Sequence, residues 1–302
     1  MVYIVIGGAG YIGSHTIDAL LKGDKKVICI DTFINSFPTI FSEMNNLENL
    51  EIQTECEYNK PDKVDAIFHF GALKSISESF NDPISYYDNN LSATTRALEL
   101  MINTNCNTFV YASSSAVYSG GNGIYSENDS PNPTSPYGRI TLACEKLIQD
   151  IAFLHPTKKF IILRYFNPYG GLELPKLKDY MNLFPTIQKA LKEGTTVKLF
   201  GNAYKTPDGY CIRDFVHITD IVKAHILCLT FSTPGYHIFN IGTGKPISVL
   251  QVVTLFKNKY HQLRVDVAPA RLGDNEMVVA NIQKASTQLG WIPRVEMGLN
   301  VI

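Results

Sequence analysis

Two clusters in this sequence hold residues whose types and spacing could do chemistry. The stretch Gly7-Gly8-Ala9-Gly10-Tyr11-Ile12-Gly13 follows an apolar run at 3–6 and opens a helical pattern. Glycines in that place let the backbone approach a pyrophosphate at the positive end of a helix. The glycine spacing alone is a weak signal. It gains weight from Asp31, which ends the second apolar run where an acceptor for both ribose hydroxyls of an adenosine is expected. A carboxylate there favours NAD over NADP. The second cluster is Ser113-Ser114-Ser115-Ala116-Val117-Tyr118, just after the run 109–112, followed by Ser135-Pro136-Tyr137-Gly138-Arg139. It brings hydroxyls at a strand end together with a phenol at a helix start.

Positioning these groups requires an alternation of strands and helices, and the chain supplies it. Apolar runs at 3–6, 27–30, 50–53, 66–70, 109–112 and 160–164 read as buried strands. Helical patterns at 13–21 and 84–103, and one beginning at Ser135-Pro136, lie between them. Such alternation predicts an α/β fold, a doubly wound parallel sheet of the Rossmann kind with right-handed crossovers. About a dozen residues separate 53 from 66, so the crossover helix there is expected to be stunted or missing. Beyond residue 170 the units shorten: a Gly/Leu/Pro loop at 170–177, a helix near 182–193, and strands near 197–200 and 237–241. The expected division is a dinucleotide-binding domain at 1–169 and a smaller mixed α/β lobe at 170–302, the two packed intimately.

Composition narrows the function classes. The 302 residues are 45% hydrophobic and 18% charged with a formal net charge of -1, an ordinary globular balance. No run approaches the roughly 18 apolar residues of a membrane span, and near neutrality gives nucleic acid no electrostatic footing. Neither partner is expected. Six cysteines lie far apart without a C-x-x-C pair, and seven histidines form no metal-ligand grouping, so reduced thiols and no metal site are predicted. The apolar run begins at Val2, which leaves no room for a signal peptide, and a cytoplasmic location is the expectation.

Eight motifs in register carry a further resemblance. They are Gly7 through His15, Leu73-Lys74, Tyr86-Tyr87-Asp88-Asn89-Asn90, Ser114-x-x-Val117-Tyr118, Ser135-Pro136-Tyr137-Gly138, Leu163 through Pro168, Phe200-Gly201-Asn202 and Arg213-Asp214. Spanning nearly the whole chain, they resemble the extended short-chain dehydrogenase/reductases, and within them the UDP-glucose 4-epimerases. The resemblance implies a UDP-hexose substrate, oxidised at C4 by NAD to a 4-keto sugar and reduced again from the other face. Tyr137 matches the family base, and Ser114 the hydroxyl on the reacting oxygen. The implied cofactor contacts are Gly7, Gly10, Tyr11, Ile12, Gly13, Asp31, Asn35, Ser36, Phe70, Lys74, Asn89, Thr141, Tyr165 and Phe166. Substrate contacts implied in the same way are Ser114, Ser115, Ala116, Tyr137, Asn167, Asn182, Phe200, Arg213, Arg271 and Asp274. A homodimer through the helices near 84–103 and 136–153 is also implied. Val278 stands where a small residue is associated with room for an N-acetyl group.

The sequence departs from the family at its most telling place. Tyr-x-x-x-Lys reads Tyr137-Gly138-Arg139-Ile140-Thr141. A phenol with a reference pKa near 10 needs roughly 3 units of depression, about 4 kcal/mol, to serve as a base at neutral pH. Arg139 projects about 200° round the helix from the lysine's face and cannot stand in for it. Loss of a charge within a few ångström typically removes 1–3 units, so the phenolate fraction should fall roughly ten- to a thousandfold. Two readings stay open: a slow epimerase, and a protein that binds NAD and UDP-sugar without turning it over. A dehydratase would need a carboxylate beside Ser114, where Ser115-Ala116 offers none.

Overall fold

The computed structural model describes residues 1–54, 61, 63–118, 123–171, 182–271 and 274–298. A continuous apolar run forms β1 (Val2–Ile6), and Gly10 sits at the N-cap of α1 (Tyr11–Lys22). Next come β2 (Lys26–Ile30), β3 (Leu50–Gln53), β4 (Ala66–His69), α2 (Ile76–Asn81) and α3 (Pro83–Asn103). The centre of the chain forms β5 (Thr108–Ser114), β6 (Ile124–Tyr125), α4 (Pro136–Leu154), β7 (Lys159–Tyr165) and β8 (Asn167–Tyr169). Then follow α5 (Leu183–Glu193), β9 (Thr196–Phe200), β10 (Ile212–Arg213), β11 (Phe215–His217), α6 (Ile218–Thr230) and β12 (Gly235–Ile241). The last elements are β13 (Ile247–Ser248), α7 (Val249–Lys259), β14 (Arg264–Ala268), β15 (Met277–Ala280) and α8 (Gln283–Gln288).

Seven parallel strands make the main sheet in the order β12-β7-β5-β4-β1-β2-β3. Both faces are covered, as the run of apolar residues in each strand requires. The pleat sorts them by turns. Tyr3, Val5, Ile161 and Leu163 face the core shared with Ile17 and Leu20 of α1 and Ile221 of α6. Ile4, Ile6, Phe160 and Ile162 face the opposite core, shared with Met101 of α3 and Ile148 of α4. Order reverses between β1 and β4, so the loops leaving these two strands part and open a crevice at their carboxyl ends.

The smaller lobe is built from a four-stranded sheet, β13-β10-β15-β6, and two strand pairs, β11-β8 and β14-β9. Its core joins Tyr169, Phe184, Ile187, Val197, Leu199 and Phe256. Two strands correct the sequence-based division at residue 170. The strand near 237–241, read as part of the second lobe, is the edge of the main sheet, with Gly235 through Ile241 in register with Lys159 through Tyr165. In the other direction β6 crosses to pair with β15. Strand pairing is a long-range choice that local pattern leaves open, hence the misplacement. Most of the expected stunted crossover at 54–65 and most of the 170–177 loop lie outside the described residues.

No described helix is long and apolar enough to cross a membrane, and the five described cysteines are all free and buried. The chain after α8 is fixed by Trp291, which is fully buried and donates its indole N–H to the Asp220 carbonyl at 2.8 Å. The Asp220 carboxylate accepts from the backbone N–H groups of Arg294 and Val295, both at 2.9 Å. Trp291→Ala should therefore cost about 3–5 kcal/mol of stability, measured by chemical denaturation.

Candidate functional site

One cleft of about 1660 Å³ runs from the crevice between β1 and β4 into the smaller lobe. Single small-ligand sites occupy roughly 300–1,000 Å³, so this cleft has room for two ligands end to end. Every cofactor and substrate residue expected from the sequence lines it except Thr141.

At its first end, the glycine loop turns β1 into α1. A Cβ on Gly13 would stand 2.5 Å from the Gly7 carbonyl oxygen, so only glycine allows this close packing of helix on loop. The first turn of α1 carries no acidic residue, which leaves its positive end open to an anion. Asp31 is oriented by the loop itself. One carboxylate oxygen accepts from Ala9 N and the other from Phe33 N, each at 2.8 Å, leaving a lone pair on each for a ribose diol. Tyr11 also lines the cleft, with its hydroxyl given to the Gly170 carbonyl. The loop after β4 hangs from α3: Asn90 accepts from Leu73 N at 2.8 Å and donates to Leu73 O at 2.9 Å, while Ser75 N donates to the Tyr86 hydroxyl at 3.0 Å. Lys74, between them, faces the cleft.

Ser114 and Tyr137 meet between the two ends of the cleft. Ser114 ends β5 and caps the short 3-10 turn Ser115–Val117, its Oγ accepting from Ala116 N at 3.1 Å. Tyr137 stands at the second position of α4, where a phenolate would feel the helix's positive end. Three residues hold that helix start. Ser135 Oγ accepts from Gly138 N at 3.0 Å, Pro136 needs no partner for a missing N–H, and Ser79 Oγ of α2 accepts from Tyr137 N at 3.2 Å. A Cβ on Gly138 would lie 2.3 Å from the Ala116 carbonyl oxygen, which is how closely the helix start seats on the Ser114 turn.

Burial pushes the Tyr137 phenol above its ordinary value, while a hydrogen bond with the Ser114 side chain draws it back down. A smaller downward pull comes from Thr141, whose single hydroxyl proton is shared with the Tyr137 carbonyl 2.8 Å away. Nearby Cys144 pushes it up again, and no cation is among the groups acting on the phenol. Thr141 is buried and outside the cleft lining, and its hydroxyl donates to the Tyr137 carbonyl within α4. Arg139 is exposed and donates to the Thr134 carbonyl at 3.2 Å.

At the far end Asp274 holds two arginines. Its carboxylate lies 3.6 Å from Arg213 Nη2 and 3.3 Å from Arg271 Nε. Arg213 also donates to the Ile212 and Asn275 carbonyls at 2.9 and 2.7 Å, and the Arg271 guanidinium stacks 4.5 Å from the Phe200 ring centroid. Two guanidinium groups fixed in this way suit a pyrophosphate. Val278, paired with Arg213 across β15 and β10, is buried and lines the cleft.

A dinucleotide crevice, a serine–tyrosine pair and a two-arginine clamp thus share one cleft, and comparison with known proteins places the combination. The model of the NAD dependent epimerase/dehydratase family matches residues 3–242. The chain belongs to that family. UDP-glucose 4-epimerase of Yersinia pestis is 35% identical over 312 residues, covering 96% of this chain and 92% of the relative. A bifunctional UDP-glucose and UDP-xylose 4-epimerase of Arabidopsis thaliana is 34% identical, over 95% of this chain and 90% of the relative. Among solved structures, UDP-glucose 4-epimerase from Bifidobacterium longum, in complex with NAD+ and UDP, superposes with a TM-score of 0.89 at 30% identity. That match covers 98% of this chain and 94% of the other. NAD is the cofactor, and the glycine loop with its oriented Asp31 fits it.

Sequence reasoning missed several residues that hold this site. Ser79 carries no local signal, because its partner lies 58 positions away. Lys198, on β9, lines the cleft beside Thr196 and went unnoticed in a short strand of alternating polarity. The glycine loop yields a direct expectation. In Gly13→Ala the added methyl must open the loop, and bound NAD, measured by nucleotide content after gel filtration, should be held about ten- to a hundredfold more weakly.

Proposed function

We propose that the chain interconverts UDP-galactose and UDP-glucose through a 4-keto sugar, and does so slowly because Thr141 replaces the family lysine. The observation that carries this reading is that Ser114 and Tyr137 line one cleft together with the glycine loop, Asp31 and the arginine clamp. Bound NAD would supply the acceptor and donor of hydride at C4. Tyr137 takes the proton of the C4 hydroxyl and returns it, while the Ser114 hydroxyl holds the same oxygen in line. Arg213 and Arg271 anchor the diphosphate and leave the hexose facing the pair. The clamp fixes one end of the substrate and leaves the sugar free to turn over at the other.

The charge available to Tyr137 sets the rate. A helix N-terminus contributes about 0.3–2 kcal/mol toward an anion, short of the roughly 4 kcal/mol a phenol needs at neutral pH. Since burial raises the phenol and no described cation opposes it, Tyr137 is protonated at pH 7 in the free protein. Only the deprotonated form is a base, so turnover should rise with pH well past neutrality. Thr141→Lys restores a charge on the same helix face. It should move the rising limb down by about 1–3 pH units and raise kcat at pH 7 roughly ten- to a thousandfold. A folded, NAD-loaded variant with an unchanged pH profile of kcat would remove this account.

The missing cation also favours a second reading, a binder of NAD and UDP-sugar without turnover. An end-point assay of UDP-galactose conversion over hours, with added NAD and Tyr137→Phe as the blank, separates the two. Conversion that vanishes in the blank supports the epimerase; its absence in a folded sample that binds both ligands supports the binder.

We further propose a homodimer and a cytoplasmic location, the latter supported by the free, buried cysteines. Ile84 on α3 is 80% exposed and Phe153 on α4 is 85% exposed, and Tyr87, Leu91 and Ile102 continue the α3 stripe. Apolar surface of this extent on two adjacent helices calls for a cover, and a second copy supplies a self-complementary one. Paired substitution Ile84→Asp with Phe153→Asp should convert the species seen by sedimentation velocity from dimer to monomer.

A further inference from the structure

Ser114 and Tyr137 come from different elements, yet both stand over one buried ion pair. Glu145, two turns beyond Tyr137 on α4, and Arg164 of β7 are 1% and 2% exposed. Arg164 Nε donates to Glu145 Oε1 at 2.9 Å and Arg164 Nη2 to Oε2 at 2.6 Å, a fork-on-fork pairing. Ser113, the residue before Ser114, donates its hydroxyl to the same Oε1 at 2.5 Å. On the other side of the turn, the Tyr118 hydroxyl accepts from Arg164 Nη1 at 2.7 Å and donates to Asn240 Oδ1 at 2.8 Å. The turn carrying Ser114 is thus tied at both ends to one charge pair, and its carboxylate rides on the helix that presents Tyr137.

Stability does not account for this arrangement. An apolar pair of the same volume is generally as stable as a buried ion pair, and often more so. Nor is Ser113 needed to neutralise Glu145, since Arg164 already meets both carboxylate oxygens. What the Ser113 bond adds is a fixed separation between the end of β5 and α4. Glu145, Arg164 and Tyr118 are buried and are not among the residues that line the cleft.

We propose that Glu145 and Arg164, acting through Ser113 and Tyr118, are positioning residues that hold the Ser114 turn in place against the start of α4 beside Tyr137. The inference rests on the epimerase reading above and extends it to residues that never touch the sugar. Ser113→Ala leaves the ion pair intact, which makes it the mild variant. On NAD-loaded protein it should lower kcat for UDP-galactose about tenfold with KM unchanged, because only the reacting geometry is loosened. Placed on a Ser114→Ala background, the same substitution should change kcat less than about twofold, since its effect passes through Ser114. A loss that multiplies with that of Ser114→Ala, or one confined to KM, overturns the proposal. The double variant Glu145→Leu with Arg164→Met removes both charges together. A cooperative melt, retained NAD and the same fall in kcat support positioning, and full kcat overturns it. Failure of the epimerase reading is distinguishable: it appears as no turnover in the wild-type chain. In that case the tyrosinate absorbance of Tyr137, obtained by subtracting Tyr137→Phe, decides the matter. An upward shift of its titration in Ser113→Ala supports the proposal, and an unmoved titration overturns it.

Discussion

Parallel strands joined by right-handed crossovers send their connections to opposite faces once the strand order reverses. Here the reversal falls between β1 and β4, and the rest of the molecule is organised around the gap it leaves. The glycine loop leaves β1 at that gap, Asp31 ends the neighbouring strand, and the loop carrying Lys74 leaves β4 across from them. Ser114 ends β5, one strand further out, so a ligand lying along the carboxyl ends passes from an anion site to a hydroxyl and a phenol. None of these groups is close to the next in sequence. The crevice makes them neighbours, because every parallel strand in the sheet delivers its C-terminal residue to the same edge.

Within that crevice, geometry and charge are unevenly supplied. Geometry is over-determined: α4 starts on Ser135, Ser79 and the Ala116 carbonyl, and its third turn is anchored through Glu145. Charge is scarce. Burial of the phenol works against ionisation, Thr141 offers a dipole where a cation would offer a full charge, and Arg139 points elsewhere. On the proposed reading, a site built in this way would hold its reactants well and pull a proton weakly. For that reason chemistry and binding separate as functional readings, while cofactor and fold do not.

The smaller lobe depends on a second set of buried acids. Asp214, fully buried, accepts from Thr243 N and Oγ1 at 2.6 Å each, from Gly244 N at 2.8 Å and from Ala280 N at 3.1 Å. Burial raises its carboxyl above the usual carboxylate range, and these bonds draw it only part of the way back. Its own carbonyl accepts from Asn167 N at 2.8 Å, which joins the end of the main sheet to the segment bearing Arg213. The arginine clamp is therefore referenced to the same strands that hold Ser114, and substrate placement follows from one continuous framework.

Much of this was legible in the sequence wherever the governing interaction is local. The helix start at Pro136, the buried apolar strands, the glycine loop and Asp31 are dictated by steric and hydrogen-bonding demands spanning a few residues, and each appears where its pattern placed it, while the helix expected from 84 begins one residue earlier at Pro83. The identity of residue 141 and its lack of charge were equally plain. Tertiary structure alone decided the rest. It put β12 in the main sheet and β6 in the small one, gave the Thr141 hydroxyl to a backbone carbonyl, and brought Ser79, Ser113, Glu145 and Arg164 beneath the reacting pair. Strand pairing and buried hydrogen bonds join residues far apart in the chain, and their free energy comes from the partner that packing supplies. A sequence shows each half of such a bond, and only the fold shows that the halves meet.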